Sequence, residues 1–138
     1  MAREPQRLTG GCLVLDSAGL SLAVERDKRV MSYLGYAREH RIQVIVSVIT
    51  LVEVQHSRLS ASALSYALSL LTLEPVTERV ARDASDLLRA VGLHGHKYAI
   101  DALVAATALA RSGALTMLTS DVDDMQRLCG KRVRLVHV

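Results

Sequence analysis

Aromatic residues are nearly absent from this 138-residue sequence, which contains no tryptophan, no phenylalanine and only four tyrosines. The tyrosines are Tyr33, Tyr36, Tyr66 and Tyr98. Proteins that grip single-stranded nucleic acid by base stacking need several aromatic rings along one surface. Base stacking can therefore contribute little to any specificity of this protein.

Cysteine is also scarce, and Cys12 and Cys129 stand far apart. They form no CxxC pair or other metal-ligand spacing, so we expect two buried free thiols and a reducing compartment. The amino-terminal residues "MAREPQRLTGG" contain no apolar stretch typical of a secretion signal, and no later run is long enough to span a membrane. The sequence thus predicts a soluble cytoplasmic protein with no membrane partner.

Half of the residues are apolar and the formal net charge is +3. This length and composition predict one globular domain over residues 12–138, preceded by a flexible lead-in of residues 1–11. A basic balance suits a polyanionic partner, although many proteins without such a partner are equally basic.

Short apolar or β-branched runs alternate with helical patterns along the chain. The predicted strands are residues 12–16, 42–48, 71–76, 115–120 and 133–138. One or two helices are expected over 20–40, with others over 49–59, 60–71, 77–91, up to Arg111 around Asp101, and 121–129. Thr77 is a predicted N-cap, Gly92 a predicted helix end, and "HGHK" (94–97) a predicted loop. Strands alternating with helices predict an α/β fold, a three-layer α/β/α sandwich around a parallel sheet.

Four acids are predicted to gather at the carboxyl edge of this sheet. Asp16 ends the first strand and Asp121 directly follows the fourth, while Glu53 and Asp101 lie near the starts of helices. Carboxylates this close repel one another unless a cation or shared protons compensate. Oxygen-only ligands favour Mg²⁺ or Mn²⁺, so the sequence predicts a metal site that Asp101 would face.

Each acid also has a simpler interpretation. Asp16 could end its strand in a turn, and Glu53 could be a solvated helix residue. Asp121 could be the N-cap of the following helix, with Asp123 and Asp124 in the first turn. Asp101 is the hardest to explain in this way, because its neighbours in "YAIDALVAATALA" are apolar on both sides.

Four segments together resemble the PIN-domain ribonucleases, specifically the VapC-type toxins of toxin–antitoxin pairs. These segments are "LVLDSAGL", "SVITLVEV" with Ser47, Thr50 and Glu53 at S-x-x-T-x-x-E spacing, "YAIDALVAATAL" and "LTSDVDDM". The resemblance implies a five-stranded parallel sheet of order 3-2-1-4-5 and Mg²⁺- or Mn²⁺-dependent cleavage of RNA. It places Asp16, Glu53, Asp101 and Asp121 on the acidic positions of the family, with Asp123 or Asp124 as a possible addition. Ser17 departs from the threonine often found there.

The resemblance also implies partners: an RNA substrate such as tRNA or rRNA, a cognate antitoxin whose tail reaches the acidic site, and a second copy of the chain. The dimer would form through Thr50 to Leu71, whose leucines could equally serve the core of the monomer. Ser17, Thr50, Lys97 and Arg26 are candidate substrate contacts. A wider basic rim could include Lys28, Arg29, Arg58, Arg127, Lys131 and Arg132, although each could be ordinary surface charge. Recognition of RNA shape is favoured over stacking.

Other functions fit less well. A phospho-accepting receiver domain would need an acid at the end of a middle strand and a lysine directly after a late strand. Here the middle strand offers only Glu74, which precedes a proline, and no lysine directly follows the strand 115–120. Neither GxGxxG nor GxxxxGK[ST] occurs, which argues against a nucleotide binder. His94 and His96 lack a third zinc ligand in register, and His56 is assigned no catalytic role. A non-catalytic PIN-fold scaffold is the main alternative, and divalent-metal binding would discriminate it from an enzyme.

Overall fold

Five short parallel strands form one sheet in the order β3-β2-β1-β4-β5. The strands are β1 (Cys12–Leu15), β2 (Gln43–Ser47), β3 (Thr72–Glu74), β4 (Leu115–Thr119) and β5 (Val133–His137). This order confirms the predicted one. The computed structural model describes residues 11–54 and 59–138. Most of the predicted lead-in, together with His56 and Arg58, lies outside the described residues.

The described helices are α1 (Ser17–Val24), α2 (Lys28–Glu39), α3 (Thr50–Val54), α4 (Ala61–Ser69), α5 (Glu78–Val91), α6 (Gly95–Leu109) and α7 (Val122–Cys129). A single 3₁₀ turn, Gly130–Arg132, leads from α7 into β5. The region 20–40 forms two helices because the Asp27 side chain accepts a hydrogen bond from the Val30 N–H and so caps α2. As predicted, Thr77 caps α5, and Gly92 ends it in the left-handed conformation.

The prediction of a loop at "HGHK" is wrong for residues 95–97, because α6 already begins at Gly95. His94 occupies the N-cap position without a side-chain hydrogen bond, so no local capping signal marks this start. A β-carbon at Gly95 would lie 3.6 Å from the Leu88 side chain, within ordinary contact distance. Packing of α5 against α6 therefore extends α6 into a segment whose own helix propensity is poor.

The core has two layers, one on each face of the sheet, which confirms the three-layer architecture. Along β1 the side chains alternate, so that Cys12 and Val14 join one layer while Leu13 and Leu15 join the other. All four are buried, as expected for a central strand covered on both faces. The alanine-rich run of α6 is explained by the first layer, where Ala102, Ala105, Ala106 and Ala108 are all buried.

Helix α1 crosses the strand ends at very short range, and Gly19 makes this possible. A β-carbon at Gly19 would lie 2.9 Å from the Leu118 carbonyl oxygen and 3.3 Å from the Leu15 β-carbon. Glycine is thus required for close approach, and α1 starts directly above the edge where β1 and β4 end.

Cys12 and Cys129 are both buried free thiols, as predicted. Within residues 11–54 and 59–138, no helix has both the length and the apolar character needed to cross a membrane.

Candidate metal centre

Asp16 is fixed at the junction of β1, β4 and α1. Its backbone N–H donates to the Leu118 carbonyl at 3.2 Å, and its carboxylate accepts from the Gly19 N–H at 3.0 Å, which caps α1. Only 4% of the residue is exposed. Burial raises the pKa of Asp16, and the Asp121 charge adds to this effect, while hydrogen bonds from the Thr119 side chain and the Gly19 backbone oppose it.

Asp121 occupies the N-cap position of α7, but its side chain makes no capping hydrogen bond. Instead, its backbone N–H donates to the Thr119 hydroxyl oxygen at 2.9 Å. Asp121 therefore stands at the predicted N-cap position, but its carboxylate does not cap the helix. This exposed carboxylate remains available for another role.

Asp101 lies in the second turn of α6 and is half-buried. The pKa of Asp101 is raised to about 6, chiefly by burial and then by the charges of Asp121, Asp124, Glu53 and Asp16, in that order of importance. All four acids predicted from the sequence therefore lie close enough to interact through their charges.

A fifth acid, Asp124, acts on Asp101 as well. It stands three residues after Asp121 and so lies on the same face of α7, whereas Asp123 is exposed and is not among the charges that act on Asp101. Of the two acids between which the sequence leaves the choice open, Asp124 is therefore the one whose charge acts on Asp101. Asp121, Asp123 and Asp124 also line an open cleft of about 560 Å³ with Ser120, Val122 and His137.

The charges of these five acids are not offset by ion pairs. Within the described residues, the ion pairs join Arg79 to Asp83, Arg82 to Glu78, Arg89 to Asp86 and Arg111 to Glu74. None of them includes Asp16, Glu53, Asp101, Asp121 or Asp124. Although the net charge of the protein is +3, these acids concentrate negative charge at one edge of the sheet with no ion-paired cation among the described residues.

The donor set fits a hard divalent cation, because it consists of carboxylate oxygens. With the side chains as they stand, no group of three or more His, Cys, Asp or Glu residues in the described parts of the chain is arranged to hold a metal ion. Glu53 and Asp121 are exposed, whereas the Asp16 carboxylate is held by its hydrogen bond from the Gly19 N–H.

The predicted substrate contacts fall in different surroundings. Ser17 is half-buried at the start of α1, and Lys97 is exposed one turn before Asp101 on α6, with its ammonium group 5.2 Å from the Tyr98 ring centroid. Arg26 lies at 5.6 Å from the Tyr66 ring centroid, beside a groove between α1, α2 and α4. Thr50 is fully buried, and its hydroxyl is the one buried side-chain polar atom in the described residues without a hydrogen-bond partner.

The residues of the wider basic rim lie at both ends of the parallel strands, some near their carboxyl ends and others near their amino ends. The Arg29 guanidinium donates to the His137 carbonyl at 2.6 Å, which places it at the edge with the acids. Lys131 and Arg132 precede β5 and so lie at the other edge, where Arg132 donates to the Arg111 carbonyl. Arg58 is outside the described residues. Thr119 is not among the residues predicted from the sequence, although a hydroxyl residue that ends a strand just before an acid, as in "LTSD", is a usable signal.

Comparisons with known proteins agree with this architecture. The chain is similar to VapBC2 from Rickettsia felis, solved with a DNA fragment from its promoter, at 17% identity and a TM-score of 0.67 over 92% of this chain and 98% of that one. It is similar to FitAcB from Neisseria gonorrhoeae at 21% identity and a TM-score of 0.60, over 89% and 95%. DNA-bound VapBC from Salmonella typhimurium matches at 14% identity and a TM-score of 0.59, over 91% and 97%.

These identities are low, so the structural matches establish the fold alone. A search of curated protein sequences finds no significant match. The family comparison is more direct, because the model of the PIN domain matches residues 13–131, a segment that contains all five acids of the site. The chain belongs to the PIN domain family.

Proposed function

We propose that this protein is a Mg²⁺- or Mn²⁺-dependent endoribonuclease that hydrolyses phosphodiester bonds, and that it is the toxin of a type II toxin–antitoxin pair. The observation that carries the proposal is the group of four acids around Asp101, whose charges act on that residue without an ion-paired partner among the described residues. Membership of the PIN family and the likeness to the VapBC2 and VapBC structures support it.

Asp16, Glu53, Asp101 and Asp121 would hold the cation. When bound, a divalent cation lowers the pKa of a coordinated water and offsets charge on the phosphoryl oxygens. Asp16 would set the position of the site, because its carboxylate is tied to the start of α1. Glu53 and Asp121, which are exposed, would orient the attacking water and the substrate from the solvent side.

RNA phosphates would approach the same edge along helix starts. Helix α6 runs antiparallel to β4, so its first turn lies at the carboxyl edge of the sheet, where unpaired N–H groups favour an anion. Lys97 in that turn and Ser17 at the start of α1 are the proposed phosphate contacts nearest to the acids. Arg26, which lies beside the groove between α1, α2 and α4, would contact a more distant part of a tRNA- or rRNA-like substrate. Thr50 is buried, so its hydroxyl would support the site from inside the protein without touching solvent.

We propose a cognate antitoxin as the second partner. Two of the similar solved proteins are described as VapBC or VapBC2, and both were solved bound to DNA. The edge formed by Asp16, Glu53, Asp101, Asp121 and Asp124 complements a basic segment of such a partner in charge. An antitoxin that places arginine or lysine there would occupy the site in place of the cation.

A homodimer through Thr50 to Leu71 is supported by apolar side chains left on the surface. Most of the leucines in this segment serve the monomer, since Leu51, Leu59, Leu64, Leu68 and Leu71 pack against the core. Val52, Tyr66 and Leu70 remain 68%, 56% and 55% exposed. A second copy would cover these three side chains, which light scattering of the purified protein with and without Leu70→Glu can test.

The function is tested by incubating antitoxin-free protein with a panel of tRNA and rRNA fragments in Mg²⁺, Mn²⁺ or EDTA. We expect metal-dependent cleavage that is lost in Asp101→Asn. The matched control is Asp86→Asn, which removes an exposed carboxylate outside the cluster. If wild-type protein binds no divalent metal by calorimetry, the nuclease proposal fails and a non-catalytic scaffold takes its place.

A further inference from the structure

We propose that Thr119 is a positioning residue that links Asp16 to Asp121 through its hydroxyl group. This inference rests on the proposed function for its catalytic consequence. Thr119 is fully buried, although it is polar and stands at the last position of β4, between the two acids that close the strand ends.

The sheet register brings the Thr119 and Asp16 side chains together. Leu15 pairs with Leu118, and the Asp16 N–H donates to the Leu118 carbonyl at 3.2 Å, so the ladder continues one residue beyond β1. Residues paired in parallel register project to the same face of the sheet. The Thr119 hydroxyl accordingly lies within hydrogen-bonding reach of the Asp16 carboxylate.

The same hydroxyl has a second partner. The Asp121 N–H donates to its oxygen at 2.9 Å. A hydroxyl carries one hydrogen and two lone pairs, so it can donate to Asp16 and accept from Asp121 at the same time. One buried atom therefore determines both the orientation of the first carboxylate and the place where α7 begins.

The Thr119 backbone is itself held from the other side. Thr119 pairs with His137 at the end of β5, and the Val138 N–H donates to the Thr119 carbonyl at 3.0 Å. The strand that carries this hydroxyl, β4, is thus hydrogen-bonded to both of its neighbours, β1 and β5. Because α7 starts from this anchor, the linkage also fixes Asp124, which lies one turn beyond Asp121.

A purely space-filling threonine would behave differently from a linking one. Thr119→Val keeps the shape and removes both hydrogen bonds, whereas Thr119→Ser keeps the hydroxyl. Thr116→Val is the matched control, because Thr116 is a buried threonine on the same strand, at the end away from the acids.

The first measurement is hydrogen exchange of the Asp121 amide in metal-free protein, with circular dichroism to confirm folding. We expect faster exchange in Thr119→Val, and wild-type exchange in Thr119→Ser and Thr116→Val. The second is calorimetric binding of Mn²⁺ followed by RNA cleavage, in which Thr119→Val should lose roughly 10- to 100-fold, as outer-sphere partners of metal ligands do.

Unchanged Asp121 exchange in Thr119→Val, or wild-type Mn²⁺ affinity and cleavage in that variant, would overturn the linkage. If Thr119→Val does not fold, Thr119→Ser decides between the two roles. A linking hydroxyl predicts wild-type Asp121 exchange and wild-type Mn²⁺ affinity in Thr119→Ser. If the methyl group of Thr119 is what matters, both should change in that variant. If wild-type protein neither binds Mn²⁺ nor cleaves RNA, the proposed function fails. The exchange measurement then still tests the hydrogen bonds of Thr119.

Discussion

The Arg111 guanidinium pairs with the Glu74 carboxylate and joins the segment before β4 to the edge strand β3. The other terminal amino group of Arg111 donates to the Gln43 side chain at 2.9 Å. The Arg111 side chain therefore connects both β2 and β3 to the segment that follows α6. The side chains of Arg111 and Glu74 are only 33% and 25% exposed, which distinguishes this pair from the exposed ion pairs of α5.

Arg111→Met should lower the free energy of unfolding by about 1–2 kcal/mol, because it leaves a partly buried carboxylate without its partner. Arg79→Met is the control, since the Arg79 side chain is 85% exposed and its loss should cost roughly 0.3 kcal/mol. Urea unfolding followed by circular dichroism measures both. Equal effects of the two variants would mean that the Arg111 contacts do not stabilise the sheet.

Asp101 should make the stability of the metal-free protein depend on pH. Its pKa is raised to about 6 in the fold, so the folded state binds the proton more tightly than the unfolded state. The resulting stabilisation is complete below the unfolded pKa of about 4 and is lost as the pH rises through about 6. Asp101→Asn should therefore raise the melting temperature in EDTA at about pH 7.5, and by roughly half as much at about pH 5.

Asp86→Asn, measured in the same two buffers, controls for general effects of removing a carboxylate. A melting-temperature difference between Asp101→Asn and wild type that is the same at both pH values would contradict the prediction. Addition of Mg²⁺ at the higher pH should narrow the difference, because the cation offsets the same repulsion.

Two glycines in helices should respond oppositely to alanine. Gly19→Ala places a β-carbon 2.9 Å from the Leu118 carbonyl oxygen, so we expect a loss of about 1–3 kcal/mol in spite of the better helix propensity. Gly35→Ala in α2 meets no atom within 4 Å and should gain roughly 0.5–1 kcal/mol. Thermal unfolding of both variants checks the pair, and a stabilised Gly19→Ala would show that α1 can shift away from the strand ends.

Thr50→Val should separate a structural role of Thr50 from a functional one. The Thr50 hydroxyl is buried without a partner, so its removal should leave the stability unchanged or raise it by about 1 kcal/mol. RNA cleavage should nevertheless fall if the hydroxyl serves the site from within the fold, as proposed. Thr107→Val is the control, because the Thr107 hydroxyl is already bonded to the Leu103 carbonyl. Wild-type cleavage by Thr50→Val would remove Thr50 from the candidate contacts.

Most of the fold could be predicted because its signals are local. Strands β1, β2 and β4 are short runs of mostly apolar or β-branched residues, and α5 carries both its N-cap and its terminating glycine in the sequence. The sequence points to Asp101 for a similar reason, since a carboxylate among alanines needs an explanation from the fold. The start of α6 could not be predicted, because contact with α5 rather than any cap determines it.

The details of the site depend on relations that single positions do not contain. Which of Asp123 and Asp124 acts on Asp101 depends on how α7 is rotated relative to α6. The two hydrogen bonds of Thr119 require the register of β1 against β4, and the ion pair between Arg111 and Glu74 joins segments remote in sequence. Such contacts follow from the assembled sheet, so they cannot be predicted from the sequence alone.

The strand order has a consequence for how the protein is made. Strand β1 is completed on one side by β2, but its other neighbour, β4, begins only at Leu115. Asp16 therefore cannot meet Thr119 and Asp121 until the ribosome has synthesised more than 100 further residues. A nascent chain that lacks β4 has no assembled acidic edge, so the proposed nuclease activity cannot begin until translation has passed β4.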